Sequence, residues 1–166
     1  SGSNQWTRSD RWPPKEAVSR DLYLHSGKTL SFDKPSTTNA TESESYVSDP
    51  SNPVPYRKRP IQPTYGPGSS WYTWLVQNQN FLEGRNDLLT WQTDVLDSDL
   101  TIDGEVFAHL FAATTGSDSD WVVKLIDVYP DSLPNDTTTA GRAGAVAPAA
   151  RDQRMRNYQM LVGAEV

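Results

Sequence analysis

Apolar and polar residues alternate along two stretches in the middle of the chain, residues 106–112 and 121–129, which flank a short polar loop. Successive side chains of a strand point to opposite faces, so this period of two predicts two strands. The predicted core face of the first strand comprises Val106, Ala108, Leu110 and Ala112. On its opposite face we expect partly exposed or loop-covered side chains, namely Phe107, His109 and Phe111. Because neither strand has a fully polar face, we expect a β-sandwich that docks on a further domain.

Shorter alternating segments predict further strands. Alternation on both sides of Ser26-Gly27 predicts a hairpin over residues 21–32, with this dipeptide as a two-residue turn. Residues 88–93 and 157–166 predict two more strands. Together these patterns indicate an all-β fold.

One helix is predicted between Ser69 and Gly84. Ser69 and Ser70 can cap its start, apolar residues follow at helical spacing to Leu82, and Gly84 can end it. The helix carries an aromatic cluster, Trp71, Tyr72 and Trp74. Such a cluster can be a ligand platform, but we favour a helix packed on its sheet.

Composition indicates long loops within about one domain. The chain has 166 residues, and its hydrophobic fraction of 36% is low for a closed core. Either loops account for this fraction or a larger protein supplies the rest of the core. Residues 49–67 contain six prolines and predict an extended surface segment, and residues 132–156 predict a flexible insertion.

Charge and cysteine content limit the classes of partner. The net charge of −6 argues against nucleic acid, whose binding depends on Lys and Arg at phosphates. The basic run Arg57-Lys58-Arg59 is interpreted as loop residues paired with carboxylates rather than an anion site. No apolar run approaches the roughly 20 residues of a membrane span. The absence of cysteine excludes disulfides and fits cytoplasm or periplasm equally.

Catalytic and metal signatures are missing from the sequence. The two histidines, His25 and His109, lie in predicted strands without a nucleophile elbow nearby. No zinc-protease, P-loop or dinucleotide signature occurs, so we expect no catalytic residue, metal or cofactor. The acidic residues Asp97, Asp99 and Asp103 match the calcium-loop pattern poorly, and a solvated turn explains them better.

Asp127 is the one carboxylate predicted to be buried. It alternates with Trp121, Val123 and Leu125 on what the pattern marks as an inward face. A buried carboxylate needs a partner, so we expect structural pinning by an arginine. The candidate partners are Arg57, Arg59 and Arg85.

Several ordered motifs resemble the C-terminal domain of the X-Pro dipeptidyl-peptidase and cocaine-esterase type serine hydrolases. They lie at residues 4–6 (NQW), 12–14 (WPP), 22–24 (LYL) and 127–131 (DVYPD). Residues 56–76, YRKRPIQPTYGPGSSWYTWLV, are most similar to the branch of α-amino-acid ester hydrolases and glutaryl or cephalosporin acylases. The resemblance covers almost the whole chain apart from the insertion.

The resemblance implies a jelly-roll β-sandwich, like galactose-binding domains, attached to an α/β-hydrolase domain. It places the Ser, Asp and His of the triad in that catalytic domain, and the family's domain continues beyond the equivalent of Val166. We therefore expect residues 1–166 to be one incomplete, non-catalytic domain. The parent is expected to act on α-amino-acid esters, β-lactam acyl groups or X-Pro dipeptides. It is also expected to be oligomeric and exported to the periplasm or medium.

A carbohydrate-binding jelly-roll module is the alternative from a different class. The two hypotheses differ in where aromatic side chains lie. A sugar site needs exposed Trp or Tyr on one face or loop end, whereas a docking module buries them against another domain. The interface or structural candidates are therefore Asp127, Arg85, Phe107, His109, Phe111, Trp71, Tyr72 and Trp74.

Overall fold

The computed structural model describes residues 6–36, 43–57, 59–61, 63–69, 76–132 and 156–165. In chain order, its described elements are β1 (Tyr23–Leu24), the 3₁₀ turn η1 (Ser26–Lys28), β2 (Leu30–Ser31), the 3₁₀ turn η2 (Gln79–Leu82), β3 (Val123–Val128) and β4 (Gln159–Glu165). The prediction of an all-β chain with little helix is confirmed. No helix in the described ranges has the length and apolar character needed to cross a membrane.

The chain divides into two compact units. Unit 1 comprises Ser1–Pro50 and Asn86–His109, and unit 2 comprises Ser51–Arg85 and Leu110–Val166. The prediction of a single incomplete domain with a flexible insertion over 132–156 stays a prediction, since residues 133–155 lie outside the described ranges.

In unit 1, β1 and β2 form the predicted antiparallel hairpin, with Leu24 opposite Leu30. The predicted two-residue turn is wrong, because the loop is the three-residue turn η1. The main-chain N–H of His25 donates to the carbonyl of Thr29 at 2.8 Å and closes this loop. Gly27 has a φ of 74°, a left-handed conformation that glycine adopts without steric cost.

The strand predicted over residues 88–93 is reduced to a single parallel bridge at Gln92. The carbonyl of Gln92 accepts the N–H of Leu30 at 2.9 Å. Next to it, Nε1 of Trp91 donates to the main-chain oxygen of His25 at 3.0 Å. A side-chain hydrogen bond thus ties this segment to the hairpin where a longer ladder was expected.

In unit 2, β3 and β4 pair along their whole length in antiparallel orientation, which confirms the strands predicted over residues 121–129 and 157–166. Leu125 pairs with Gly163, whereas Ile126 pairs with Leu161. Val162 is therefore left without an opposite residue and forms a one-residue β-bulge.

The strand predicted over residues 106–112 is not formed. These residues belong to no described strand, and their side chains are exposed. The predicted core face, which includes Val106 and Leu110, is therefore wrong. The exposure expected for Phe107 and Phe111 is confirmed, since Phe107 is 70% exposed and Phe111 fully so. The physical reason is pairing, because β3 takes β4 as its partner and no described strand flanks residues 106–112.

The predicted helix can be followed only at its end, because residues 70–75 lie outside the described ranges. The described end is the 3₁₀ turn η2 rather than an α-helical turn. Gly84 follows with a φ of 75°, as expected for a residue that stops a helix. Gln79 at the start of η2 is 2% exposed, and it is the one buried residue that the described ranges contain.

Candidate functional site

Lys124 of β3 lies in a cluster of polar and aromatic groups, which we call the Lys124 cluster: Lys124, Tyr56, Gln79 and Phe81. Its Nζ donates to the main-chain oxygen of Tyr56 at 2.8 Å and to Oε1 of Gln79 at 2.9 Å. The same nitrogen lies 4.6 Å from the centroid of the Tyr56 ring and 5.6 Å from that of Phe81. Both distances are within the range of cation–π attraction.

In the Lys124 cluster, the ammonium group of Lys124 is surrounded by neutral oxygen acceptors and aromatic rings. Burial lowers the pKa of the Lys124 ammonium below its ordinary value of 10.5. Both polar atoms of the Gln79 amide are hydrogen-bonded, since Nε2 donates to the main-chain oxygen of Gln77 at 2.8 Å while Oε1 accepts from Lys124. The arrangement clamps η2 and the segment at Tyr56 onto β3, which is a structural role.

A second set of hydrogen bonds ties η2 to β4, and we call it the Asn78 latch: Asn78, Asn80, Gln159 and Glu83. Oδ1 of Asn78 accepts two main-chain N–H groups at 3.1 Å, those of Asn80 and Gln159. The first caps η2, and the second belongs to β4. Gln159 also donates Nε2 to Oε1 of Glu83 at 2.5 Å. One amide oxygen thus joins the start of η2 to the start of β4.

Arg85, one of the three arginines predicted as candidate partners of Asp127, bonds a main-chain carbonyl. Arg85 is half-buried, and its Nη2 donates to the main-chain oxygen of Asn52 at 2.7 Å, so it pins a loop of unit 2. Asp127 is exposed, and the prediction that it is buried against an arginine is wrong. Lys124 and Asp127 are three positions apart and so point to opposite faces of β3. The side chain of Lys124 faces η2, whereas the carboxylate of Asp127 remains in water.

The two histidines occupy different environments. Nε2 of His25 lies 2.9 Å from the main-chain oxygen of Asp33, so this nitrogen donates to a carbonyl rather than activating a hydroxyl. His109 is exposed. Within the described ranges, no group of three His, Cys, Asp or Glu side chains could hold a metal ion.

Several interface candidates present large aromatic side chains to solvent. Phe107 and Phe111 were predicted, whereas Trp6 and Trp12 at the start of unit 1 were not; these two are 100% and 69% exposed. Trp71, Tyr72 and Trp74 lie outside the described ranges.

Sequence reasoning missed both hydrogen-bonded clusters. One signal was present for Lys124, since it is the one lysine inside an apolar, alternating strand. For Asn78 and Gln159 no local signal exists, because they are distant in sequence and meet only through the β3–β4 pairing.

Comparisons with known proteins agree with the resemblance of the motifs. Residues 1–160 match the family model described as the X-Pro dipeptidyl-peptidase C-terminal non-catalytic domain. The chain is 29% identical over 177 residues to the cocaine esterase of Rhodococcus sp. (strain MB1 Bresler), and the match covers 97% of the chain and 26% of that protein. It is also similar to the crystal structure of an aminopeptidase from the marine sediment archaeon Thaumarchaeota archaeon. That match has a TM-score of 0.80 at 39% identity and covers 99% of the chain and 24% of the aminopeptidase.

The chain thus spans about a quarter of the length of these relatives. A larger parent protein accounts for this ratio, as the motifs predicted. The family model covers nearly the whole chain. The chain belongs to the family of X-Pro dipeptidyl-peptidase C-terminal non-catalytic domains.

Proposed function

We propose that this chain is the accessory β-sandwich domain of a serine hydrolase and packs on an α/β-hydrolase catalytic domain of the same polypeptide. The observation that carries the proposal is the family match over residues 1–160, in relatives about four times as long. One relative is named an esterase and the other an aminopeptidase. The parent therefore hydrolyses esters or amides, with α-amino-acid esters, β-lactam acyl groups and X-Pro dipeptides as the substrate classes.

Exposed tryptophans at the start of unit 1 support docking on the catalytic domain. The rings of Trp6 and Trp12 are exposed, and Trp is enriched in interfaces because burying its large ring stabilises them. The segment that carries them also packs closely within unit 1. A Cβ on Gly104 would lie 3.4 Å from Cβ of Pro13, so glycine there allows the close approach. Trp12 is thereby presented from a fixed position.

Carbohydrate binding is the second candidate function, and the same exposure favours it. A sugar site needs exposed aromatic rings, and Trp6 and Trp12 supply two of them. The two functions differ in what covers these rings, a catalytic domain or a saccharide.

The remaining partner and location proposals rest on the resemblance and on charge. The net charge of −6 supports a partner other than nucleic acid, and no membrane partner is proposed. The parent is proposed to be a homo-oligomer exported to the periplasm or medium. Cell fractionation followed by an immunoblot against this chain tests the location, and recovery of the parent only from cytoplasm would contradict it.

The decisive experiment compares the purified chain with the purified parent on a p-nitrophenyl ester. We expect the parent to turn over the ester and to be labelled at one serine by a phosphonate probe. The chain alone should hydrolyse no faster than buffer, because acyl transfer needs a serine activated by a histidine base and an oxyanion hole. His25 is instead bound to a main-chain carbonyl.

Two outcomes would overturn the proposal. Turnover by the chain alone that the phosphonate abolishes, with one serine labelled, would make it an enzyme. If the parent neither hydrolyses esters or amides nor is labelled by the phosphonate, it is not a serine hydrolase, and the proposal fails.

A further inference from the structure

Residues 52–66 form a surface segment of unit 2, which we call the Pro-rich loop. Two basic side chains bind main-chain carbonyls in its first half. Nη2 of Arg85 donates to the oxygen of Asn52 at 2.7 Å, and Nζ of Lys124 donates to that of Tyr56 at 2.8 Å. Both donors come from other segments of unit 2, so the first half of the loop is held at two points.

The second half of the Pro-rich loop is held in a similar way. Oγ of Ser69 donates to the main-chain oxygen of Thr64 at 2.6 Å, and the N–H of Ser69 donates to that of Gly66 at 3.1 Å. The loop also contains four prolines, each of which fixes its own φ. A binding partner therefore has little backbone freedom left to remove, and this lowers the cost of association.

The loop presents large side chains to solvent from this fixed backbone. Tyr65 is 78% exposed, and Ile61 and Val54 are exposed as well. Arg59 is also exposed. Tyr and Arg are among the residue types that contribute most of the binding energy in protein interfaces. Exposed side chains of these types on a fixed segment are typical of a docking surface.

The charge of the Pro-rich loop is opposite to that of the chain. Its three basic residues, Arg57, Lys58 and Arg59, are accompanied by neither Asp nor Glu, which gives a local charge of +3 in a chain of net charge −6. Protein surfaces that bind each other carry complementary potentials. We therefore expect the face that covers this loop to be acidic.

We propose that the Pro-rich loop docks on an acidic face of the catalytic domain in the same polypeptide. The inference rests on the proposed function, because that domain is the partner. The matched relatives are about four times as long as this chain, which leaves about three quarters of the parent to supply the covering face. The contact is intramolecular, so it does not depend on the concentration of the parent.

A single thiol in the loop of the full-length parent tests whether the loop is covered. Thr64→Cys places it beside Tyr65, and this chain contains no other cysteine. Alkylation by N-ethylmaleimide is followed at this position by peptide mass spectrometry. We expect the native parent to react there at least about tenfold more slowly than the urea-unfolded parent, because a covered thiol reacts only after local opening. Ser117→Cys, in an exposed polar loop of unit 2, is the control and should react at nearly the unfolded rate.

A charge reversal tests the acidic character of the partner face. In the Thr64→Cys parent, the addition of Arg59→Glu should raise the native alkylation rate at least about threefold, because like charges across a contact oppose docking. Lys34→Glu, at an exposed position of unit 1, is the control and should leave the rate unchanged. Equal rates in the two variants would contradict an acidic face.

Two further results would overturn the docking surface. Alkylation of Thr64→Cys at the unfolded rate would show that the loop is uncovered, and protection that disappears on dilution would assign it to a second copy of the parent. Ester hydrolysis by the same samples is measured in parallel. An active parent with a reactive thiol at position 64 would retain the proposed function and lose only the docking surface, so the two failures are distinguishable.

Discussion

At position 124 a lysine stands where the alternation of β3 calls for an apolar side chain. Its neighbours on the same face, Val122 and Ile126, follow the alternation, whereas the sequence analysis marked the opposite face, that of Asp127, as the inward one. The pattern does not predict the hydrogen-bond acceptors of Lys124, because Tyr56 and Gln79 come from segments more than 40 residues away. A residue that interrupts a pattern is thus visible in the sequence, but its partners are a property of the fold.

Replacing Lys124 by methionine should lower the free energy of unfolding by about 1–3 kcal/mol. Methionine keeps much of the apolar stem but leaves the buried Oε1 of Gln79 without a donor, and an unsatisfied buried acceptor costs about that much. Urea unfolding followed by circular dichroism measures the change. Lys34→Met is the control, because Lys34 is exposed and its loss should change stability by less than about 0.5 kcal/mol. Equal effects of the two variants would contradict the role of the Lys124 cluster.

The same lysine predicts a pH dependence of known sign. Its pKa is lowered in the folded chain, so between that value and about 10.5 the unfolded chain binds more protons than the folded one. Stability contributed by this group must therefore rise with pH across that window. The difference in free energy of unfolding between the wild-type chain and Lys124→Met isolates the contribution, since other groups cancel. We expect this difference to grow with pH, and a flat or falling difference would contradict burial of the ammonium.

At the scale of elements, the alternation of apolar and polar residues predicted strands whose formation depends on residues close in sequence. The β1–β2 hairpin and both strands of unit 2 follow from alternation. Which strand pairs with which did not follow, because β4 reaches β3 across a long connection. Residues 106–112 show the same limit. Their alternation predicts a strand, but the sequence pattern does not show whether a partner strand is available to pair with it.

Removal of the Asn78 side chain should loosen two elements together. Asn78→Ala leaves the N–H of Asn80 uncapped and the N–H of Gln159 without its acceptor, so we expect a loss of about 1–3 kcal/mol. Hydrogen exchange should quicken at both amides. Asn80→Ala is the matched control, since Asn80 contributes its main-chain N–H to the Asn78 latch and its side chain is exposed. Faster exchange at Asn80 with unchanged exchange at Gln159 would contradict the link between η2 and β4.

For the whole molecule, ordered motifs predicted the family, and the family model confirms it. The site was predicted less well. Arg85 does pin a loop, but Asp127 is exposed at the end of β3, where the neighbouring Val128 is exposed as well. Exposure of Phe107 and Phe111 was foreseen, whereas that of Trp12 was not, since an irregular segment has no periodicity from which to assign a face.

Substituting both exposed tryptophans tests docking in the parent protein. Trp6→Ser combined with Trp12→Ser should destabilise the parent by at least about 2 kcal/mol if the rings are buried at a domain interface. The isolated chain should lose much less. Val47→Ser, at another exposed apolar position, is the control. Unfolding of the parent followed by calorimetry measures the effect. An unchanged parent, together with lost retardation in a polysaccharide gel, would favour the carbohydrate-binding function.

The bulge at Val162 decides where β4 tolerates a change of length. Because Val162 has no opposite residue, its removal leaves Leu125 against Gly163 and Ile126 against Leu161. A deletion further along the strand would instead shift the register by one position and turn the following side chains to the other face. In an alignment of relatives, a one-residue gap within β4 is therefore compatible with the ladder only at Val162 or at one of its two neighbours, Leu161 and Gly163.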